Sequence, residues 1–176
     1  MRELRDNIRM QLPRETLTAS LQAYIDQIPF VRPLGILVNR ASKGSVSLKM
    51  RPQKGLQNHL GTYQAGSIFT LAEAAGGTLC GTFLDLSNNL LITRKGEIAF
   101  LKATDQELIA EANLEEVLIQ GALTELKESK KVDVPVLVSI KTTDGESVAA
   151  CNFIYYLRLG IPRQFSPKPS SMNSYD

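Results

Sequence analysis

Tryptophan is absent from this chain of 176 residues, histidine occurs once, cysteine twice, and the formal net charge is only +2. Each scarcity removes a class of function. A charge so near balance gives no electrostatic footprint for nucleic acid. Cys80 and Cys151 stand alone, each inside an apolar run, which is the pattern of two buried reduced thiols rather than of a disulfide framework or a metal site. No metal is expected. His59, the lone histidine, precedes Leu60 on a polar stretch and reads as a solvated loop residue. The N-terminal MRELRDNIRMQL is charged throughout and lacks the apolar core of a signal peptide, so a cytoplasmic location is expected. The longest apolar stretch, residues 65–84, is too short and too often broken by Ser, Thr and Gly for a membrane span.

That same stretch is what the rest of the chain is organised around. From Ala65 to Leu84 nearly every residue is small or apolar, and Glu73 is the one ionisable side chain. A helix that is apolar all round has no solvent face and belongs inside a protein. Gly76, Gly77 and Gly81 each cost about 1 kcal/mol relative to alanine within a helix. The expected compensation is close approach of another backbone. An ionisable side chain among small apolar neighbours calls for a chemical reason.

The flanking sequence reads as one domain. Residues 2–28 predict one or two helices broken at Pro13, with Leu17, Leu21, Tyr24, Ile25 and Ile28 on one face. Period-two alternation through Ile36, Val38, Val46, Leu48 and Met50 predicts two strands turning at Lys43-Gly44. After the central helix, strands are expected over 90–102, irregular at Gly96, and over 107–113, 134–141 and 147–158. Asp144-Gly145 marks a hairpin between the last two. Residues 114–131 predict an amphipathic helix capped by Asn113 with Glu116, its apolar face being Leu114, Val117, Leu118, Gly121, Ala122 and Leu126. The Pro- and Ser-rich residues 160–176 predict a disordered tail. The expected division is N-terminal helices over 1–29, a domain over 30–159 and the tail. The architecture is α+β, a curved antiparallel sheet wrapped around one long helix.

The pattern Asn58-x-x-Gly61-x-x-Gln64-Ala65-Gly66-x-Ile68-Phe69-Thr70-Leu71-Ala72-Glu73 is similar to N-x-x-G-x-x-H-G-G-x-x-F-x-L-A-D of hotdog-fold acyl-CoA thioesterases of the phenylacetate-pathway type. Ile98-x-Phe100-Leu101-Lys102-Ala103 resembles the aromatic-Leu-Lys/Arg-Pro segment of the same proteins. The resemblance covers roughly residues 30–158 and implies a hotdog fold. It also implies a coenzyme A or carrier-protein thioester as substrate, no required cofactor, and assembly as a dimer or a dimer of dimers. It places Glu73 at the catalytic carboxylate, Ala65 and Gly66 at the turn whose N–H groups polarise the carbonyl, and Asn58 at an orienting amide. Gln64 stands where the family has histidine, Ala65 where it has glycine and Ala103 where it has proline. Hotdog dehydratases use a histidine base, and the central helix has none.

Thioester hydrolysis needs donors for a developing oxyanion and a carboxylate to attack or to activate water. The first turn of the central helix offers the donors and Glu73 the carboxylate. Nine helical steps from Gln64 to Glu73 span about 13 Å at 1.5 Å per residue, too far for one carbonyl to touch both ends. The expected site is therefore shared: Asn58, Gln64 and Gly66 of one chain face Glu73 of another, and the active unit is a homodimer or homotetramer. Arg94, Lys95 and Lys102 are candidates to meet the phosphates of coenzyme A, with solvated surface charges as the simpler reading. Two functions stay open: hydrolysis of an acyl thioester, and acyl-ligand binding without turnover. For Glu73 itself the alternative is a structural carboxylate accepting hydrogen bonds from the partner chain.

Overall fold

The alternation read from the sequence becomes a single sheet in a computed structural model of the chain, which describes residues 14–162 and Gln164. In chain order the elements are α1 (Arg14–Ile25), β1 (Leu37–Ser42), β2 (Ser45–Met50), α2 (Ala65–Cys80), β3 (Leu90–Phe100), β4 (Leu108–Asn113), α3 (Glu116–Ser129), β5 (Lys131–Thr142) and β6 (Ser147–Arg158). Every strand pairing is antiparallel, and the spatial order is β1-β2-β4-β5-β6-β3. The expected break at Pro13 and nearly all of the expected tail lie outside the described residues.

Strand β5 shows the logic most plainly. Val132, Val134, Val136, Val138 and Ile140 are buried while the residues between them face outward, the period-two signature of a sheet with one covered face. Its hairpin to β6 closes where expected, with Gly145 at φ +93° and its N–H donating to Thr142 O. Helix α2 packs against β2, β3, β4, β5 and β6. Leu71, Ala72, Ala75, Leu79 and Cys80 on it are fully buried, and burial pushes the Cys80 thiol pKa up, as expected of an inert reduced cysteine.

The two sheet edges are treated differently. At the β1 edge, Gln22 of α1 accepts from the Val38 N–H through Oε1 at 2.7 Å and donates from Nε2 to Ile36 O at 3.1 Å. One glutamine side chain thus occupies two main-chain groups at the start of that edge. Among the described residues β3 pairs with β6 alone, so its other edge, eleven residues long, has no strand against it. An open edge of that length is a template for pairing with another chain.

Several local expectations are corrected. Helix α1 ends at Ile25 rather than Ile28, although Leu17, Leu21 and Ile25 do form its buried face. The irregularity of β3 falls between Thr93 and Lys95, ahead of Gly96. Gly76 makes room for a ring instead of a backbone: a Cβ there would sit 2.3 Å from Tyr155 Oη. Asn113 does not cap α3. It stays in β4, its Oδ1 accepting from Ser45 Oγ at 2.7 Å, while Glu116 pairs with Lys43 at 2.5 Å. The α3 sequence carries two apolar stripes, and the one that packs inward is Ile119, Leu123 and Leu126, with Ile119 against Gly44 at the β1–β2 turn. Val117 and Leu118 are consequently exposed.

Candidate functional site

Helix α2 begins after the loop 57–63, which is stitched together by Asn58. The Asn58 Nδ2 donates to Thr62 Oγ1 (2.9 Å) and to Tyr63 O (3.3 Å), and its Oδ1 accepts from the Leu60 N–H (2.8 Å). Both amide protons are spent inside the loop, so within the protomer Asn58 shapes the turn rather than reaching toward a ligand. His59, Leu60 and Gly61 ride exposed on that turn. Tyr63 anchors its far end, its hydroxyl donating to Met50 O at 3.0 Å.

Gln64 is the N-cap of α2, in an extended conformation and without a side-chain capping bond; its carbonyl accepts from the Ser67 N–H at 2.9 Å. Gln64, Ala65 and Gly66 are exposed. The first-turn N–H groups of a helix have no intrahelical acceptor, and the space in front of Gly66 is open, with nothing within 4 Å of where a Cβ would stand. Here is a small, uncluttered patch of main-chain donors at the positive end of a sixteen-residue helix. Ser67 and Thr70 turn away from it, donating to Leu56 O and Gly66 O.

Glu73 lies two turns further on, half-buried in an otherwise buried part of the helix. Its Oε1 accepts a hydrogen bond from Thr93 Oγ1 of β3 at 2.5 Å, and its main-chain carbonyl accepts from Tyr155 Oη at 2.7 Å. The second bond uses the space left by Gly76. Burial raises the hydroxyl pKa of Tyr24 on α1, with the charges of Glu73 and then Cys80 adding to the rise. Tyr155 is likewise raised, by burial first and then by Glu73. Phe69 and Phe153 pack edge to face, with centroids 5.4 Å apart, beside the same strand.

One protomer therefore brings Glu73, Thr93 and Tyr155 together, and separately Gln64, Ala65 and Gly66. Ala65 and Glu73 are eight residues apart on one helix, about 12 Å along its axis. Arg94, Lys95 and Lys102 do not gather at either group. Arg94 pairs with Asp133 at 2.7 Å, Lys95 with Glu97 at 2.7 Å, and Lys102 with Glu146. Thr93 and Tyr155 were missed from the sequence as site residues. Only the inward register of β3 opposite β6 could have pointed to Thr93. Among the described residues no group of His, Cys, Asp and Glu is arranged to hold a metal ion, and no helix is long and apolar enough to cross a membrane.

Residues 18–157 match the family described as a domain of unknown function, DUF4442. The chain belongs to that family. Among solved structures, a Pseudomonas aeruginosa protein of unknown function, described as a probable thioesterase, is 30% identical to this DUF4442 chain. The match has a TM-score of 0.72 over 85% of this chain and 98% of the other. A mutant thioesterase from Pseudomonas aeruginosa is 15% identical, with a TM-score of 0.65 over 86% of this chain and 98% of its own. A hypothetical thioesterase from Streptococcus pneumoniae, solved with coenzyme A, is 16% identical, with a TM-score of 0.56 over 73% of this chain and 89% of its own. At those identities the last two bear on the fold alone. No curated protein matches. The DUF4442 chain thus resembles thioesterase-superfamily, hotdog-type proteins, its described residues forming a six-stranded antiparallel sheet with three α-helices.

Proposed function

We propose that the protein hydrolyses an acyl thioester of coenzyme A or of a carrier-protein arm, in a site completed across a dimer of hotdog protomers in which the sheet curves around α2. The observation that carries this reading is the separation of two complementary groups on one helix. Open main-chain donors at Ala65 and Gly66 and a half-buried carboxylate at Glu73 are about 12 Å apart. A second copy joined at the bare β3 edge brings its own α2 alongside, so that donors of one chain face the acid of the other. The asymmetry of the edges favours β3: Gln22 occupies the start of the β1 edge at Ile36 and Val38.

In the shared site the Ala65 and Gly66 N–H groups hold the thioester oxygen, Gln64 orients the acyl carbon, and Asn58 keeps the loop that presents them. Glu73 either attacks the carbon, giving an anhydride that water cleaves, or takes a proton from the attacking water. In both routes the carbon–sulfur bond breaks, the thiol leaves with a proton, and a carboxylic acid remains. Lys95 and Lys102 as phosphate contacts, the C-terminal tail, N-terminal helices packing on the domain and a cytoplasmic location remain part of this proposal, while Arg94, held by Asp133 and Tyr156, is released from the phosphate role. The coenzyme A bound to the Streptococcus pneumoniae protein supports the choice of carrier.

Acyl-ligand binding without turnover is the second reading. It is favoured by Asn58, whose amide protons are both spent within its loop. Free-thiol release from a panel of acyl-CoAs decides between them. Hydrolysis predicts turnover by the wild type and at least about a thousandfold loss in Glu73→Gln, the scale seen when a reacting group is removed. Tight acyl-CoA binding with no thiol release from any substrate, or full activity in Glu73→Gln, overturns it.

A further inference from the structure

We propose that Arg94 is a positioning residue: from the outer face of the sheet it holds the bulge in β3 that aims Thr93 at Glu73. The inference rests on the reading of Glu73 as the reacting carboxylate, and it assigns Arg94 a different task from meeting the phosphates of a substrate.

The bulge reconciles two demands that a regular strand cannot meet. Toward its start β3 turns Leu91 and Thr93 inward, opposite Leu157 and Tyr155; further on, Gly96 and Ile98 oppose the inward-facing Phe153 and Cys151. The inward set thus passes from odd to even positions. In a strand of period two, one of these pairs would have to face outward. Neither can. Thr93 is needed inside to donate to Glu73 at 2.5 Å. Position 96 is inside against rings, since a Cβ there would lie 2.7 Å from Phe153 Cε1 and 2.8 Å from Phe69 Cζ. The register shift between Thr93 and Lys95 inserts the extra residue that allows both.

That extra residue is Arg94, and it is held at two points. Its guanidinium lies 4.4 Å from the centroid of the Tyr156 ring on β6, and Nη1 is 2.7 Å from Asp133 Oδ2 on β5. Asp133, Tyr156 and Ile92 are in line across β5, β6 and β3, so the side chain reaches over three strands. Exposed ion pairs contribute little to global stability; a fixed direction for the bulge is what this one supplies. Thr93 is the preceding residue on the opposite face. The Thr93 bond ties down Oε1, so the chemistry proposed for Glu73 falls to Oε2.

The test compares Thr93→Val, Thr93→Ser, Arg94→Met and the double variant Thr93→Val/Arg94→Met. Each is assayed on an acyl-CoA and on the same acyl group carried by N-acetylcysteamine, a thiol without phosphate. Thr93→Val is expected to lower kcat by about tenfold to a hundredfold with KM nearly unchanged, the scale of a hydrogen bond to a charged group, and Thr93→Ser to restore most of it. Arg94→Met is expected to lower kcat by about threefold to tenfold on both substrates, and the double variant to be no worse than Thr93→Val alone. Melting temperatures should stay near that of the wild type. An Arg94→Met effect confined to KM for the coenzyme A substrate, or losses that multiply in the double variant, overturns the inference. A crystal structure of Arg94→Met decides it without turnover: a displaced Thr93 supports the clamp, and a Thr93 still bonded to Glu73 refutes it. If the wild type releases no thiol, the hydrolase reading falls while this structural outcome still judges the clamp.

Discussion

Ala65→Pro deletes one main-chain donor and little else, which makes it a sharp probe of the oxyanion role. Ala65 is the first residue of α2, the position where proline's fixed φ suits a helix and its missing N–H costs no intrahelical bond. The preceding Gln64 sits at φ −67° and ψ 139°, within the extended region that a residue before proline prefers. Ala65 is exposed, so the ring meets solvent. If the Ala65 N–H stabilises the oxyanion, its removal should lower kcat by about 10²- to 10³-fold, or about 2.7–4 kcal/mol of transition-state stabilisation. KM should move little, because the donor acts on charge that develops during the reaction. The assay is thiol release from an acyl-CoA, with circular dichroism and melting temperature to verify folding. Ala65→Gly keeps the N–H and should retain most of the activity. A folded Ala65→Pro with kcat within about threefold of the wild type would refute the assignment of this donor.

Two further outcomes concern the frame. Gly76→Ala should destabilise the protein by about 2 kcal/mol, an overpacking cost only partly offset by helix propensity, because its Cβ would meet Tyr155 Oη at 2.3 Å. Gly77→Ala, whose Cβ would rest 3.6 Å from Leu91 and 3.7 Å from Tyr155, should be neutral or stabilising by up to about 1 kcal/mol; equal effects in urea unfolding would contradict the packing. Stability should also fall in alkali. Burial pushes the Cys151 thiol from 9.0 up to about 11. Burial, then the charges of Glu107 and Asp105, push Tyr63 from 10.0 up to about 12. Above about pH 9 the native state therefore holds protons that the unfolded chain has lost, and stability intact below that pH is lost as the pH climbs toward the folded values. Urea midpoints unchanged between about pH 8 and pH 11 would contradict it.

The strands and the central helix were legible because their signals are local. Val132 to Ile140 alternates, Asp144-Gly145 turns, and Ala65 to Cys80 offers no polar face. Glu73 stands out for the same reason, as a lone charge in an apolar run. What was not legible depends on partners distant in sequence. Thr93 becomes a site residue only once β3 is registered against β6 and its bulge is placed, twenty residues beyond the carboxylate it bonds. Gly76 looked like room for a backbone because the sequence does not say that Tyr155 will fill it. Helix α3 had two apolar stripes, and the choice between them is made by Ile119 meeting the β1–β2 turn. Asn113 looked like a cap, but β4 extends to it and Ser45 takes its side chain.

Subunit complementation probes the shared site most directly. Glu73→Gln and Ala65→Pro are each expected to be inactive or nearly so as pure homodimers. Mixed, unfolded and refolded together, they form heterodimers in which one of the two sites pairs an intact Glu73 with intact Ala65 and Gly66 donors. The account predicts recovery of about one quarter of wild-type activity, since half the dimers are mixed and each carries one good site. Activity that stays at the level of the parent variants, in a mixture shown to contain heterodimers, would contradict a site built from two chains.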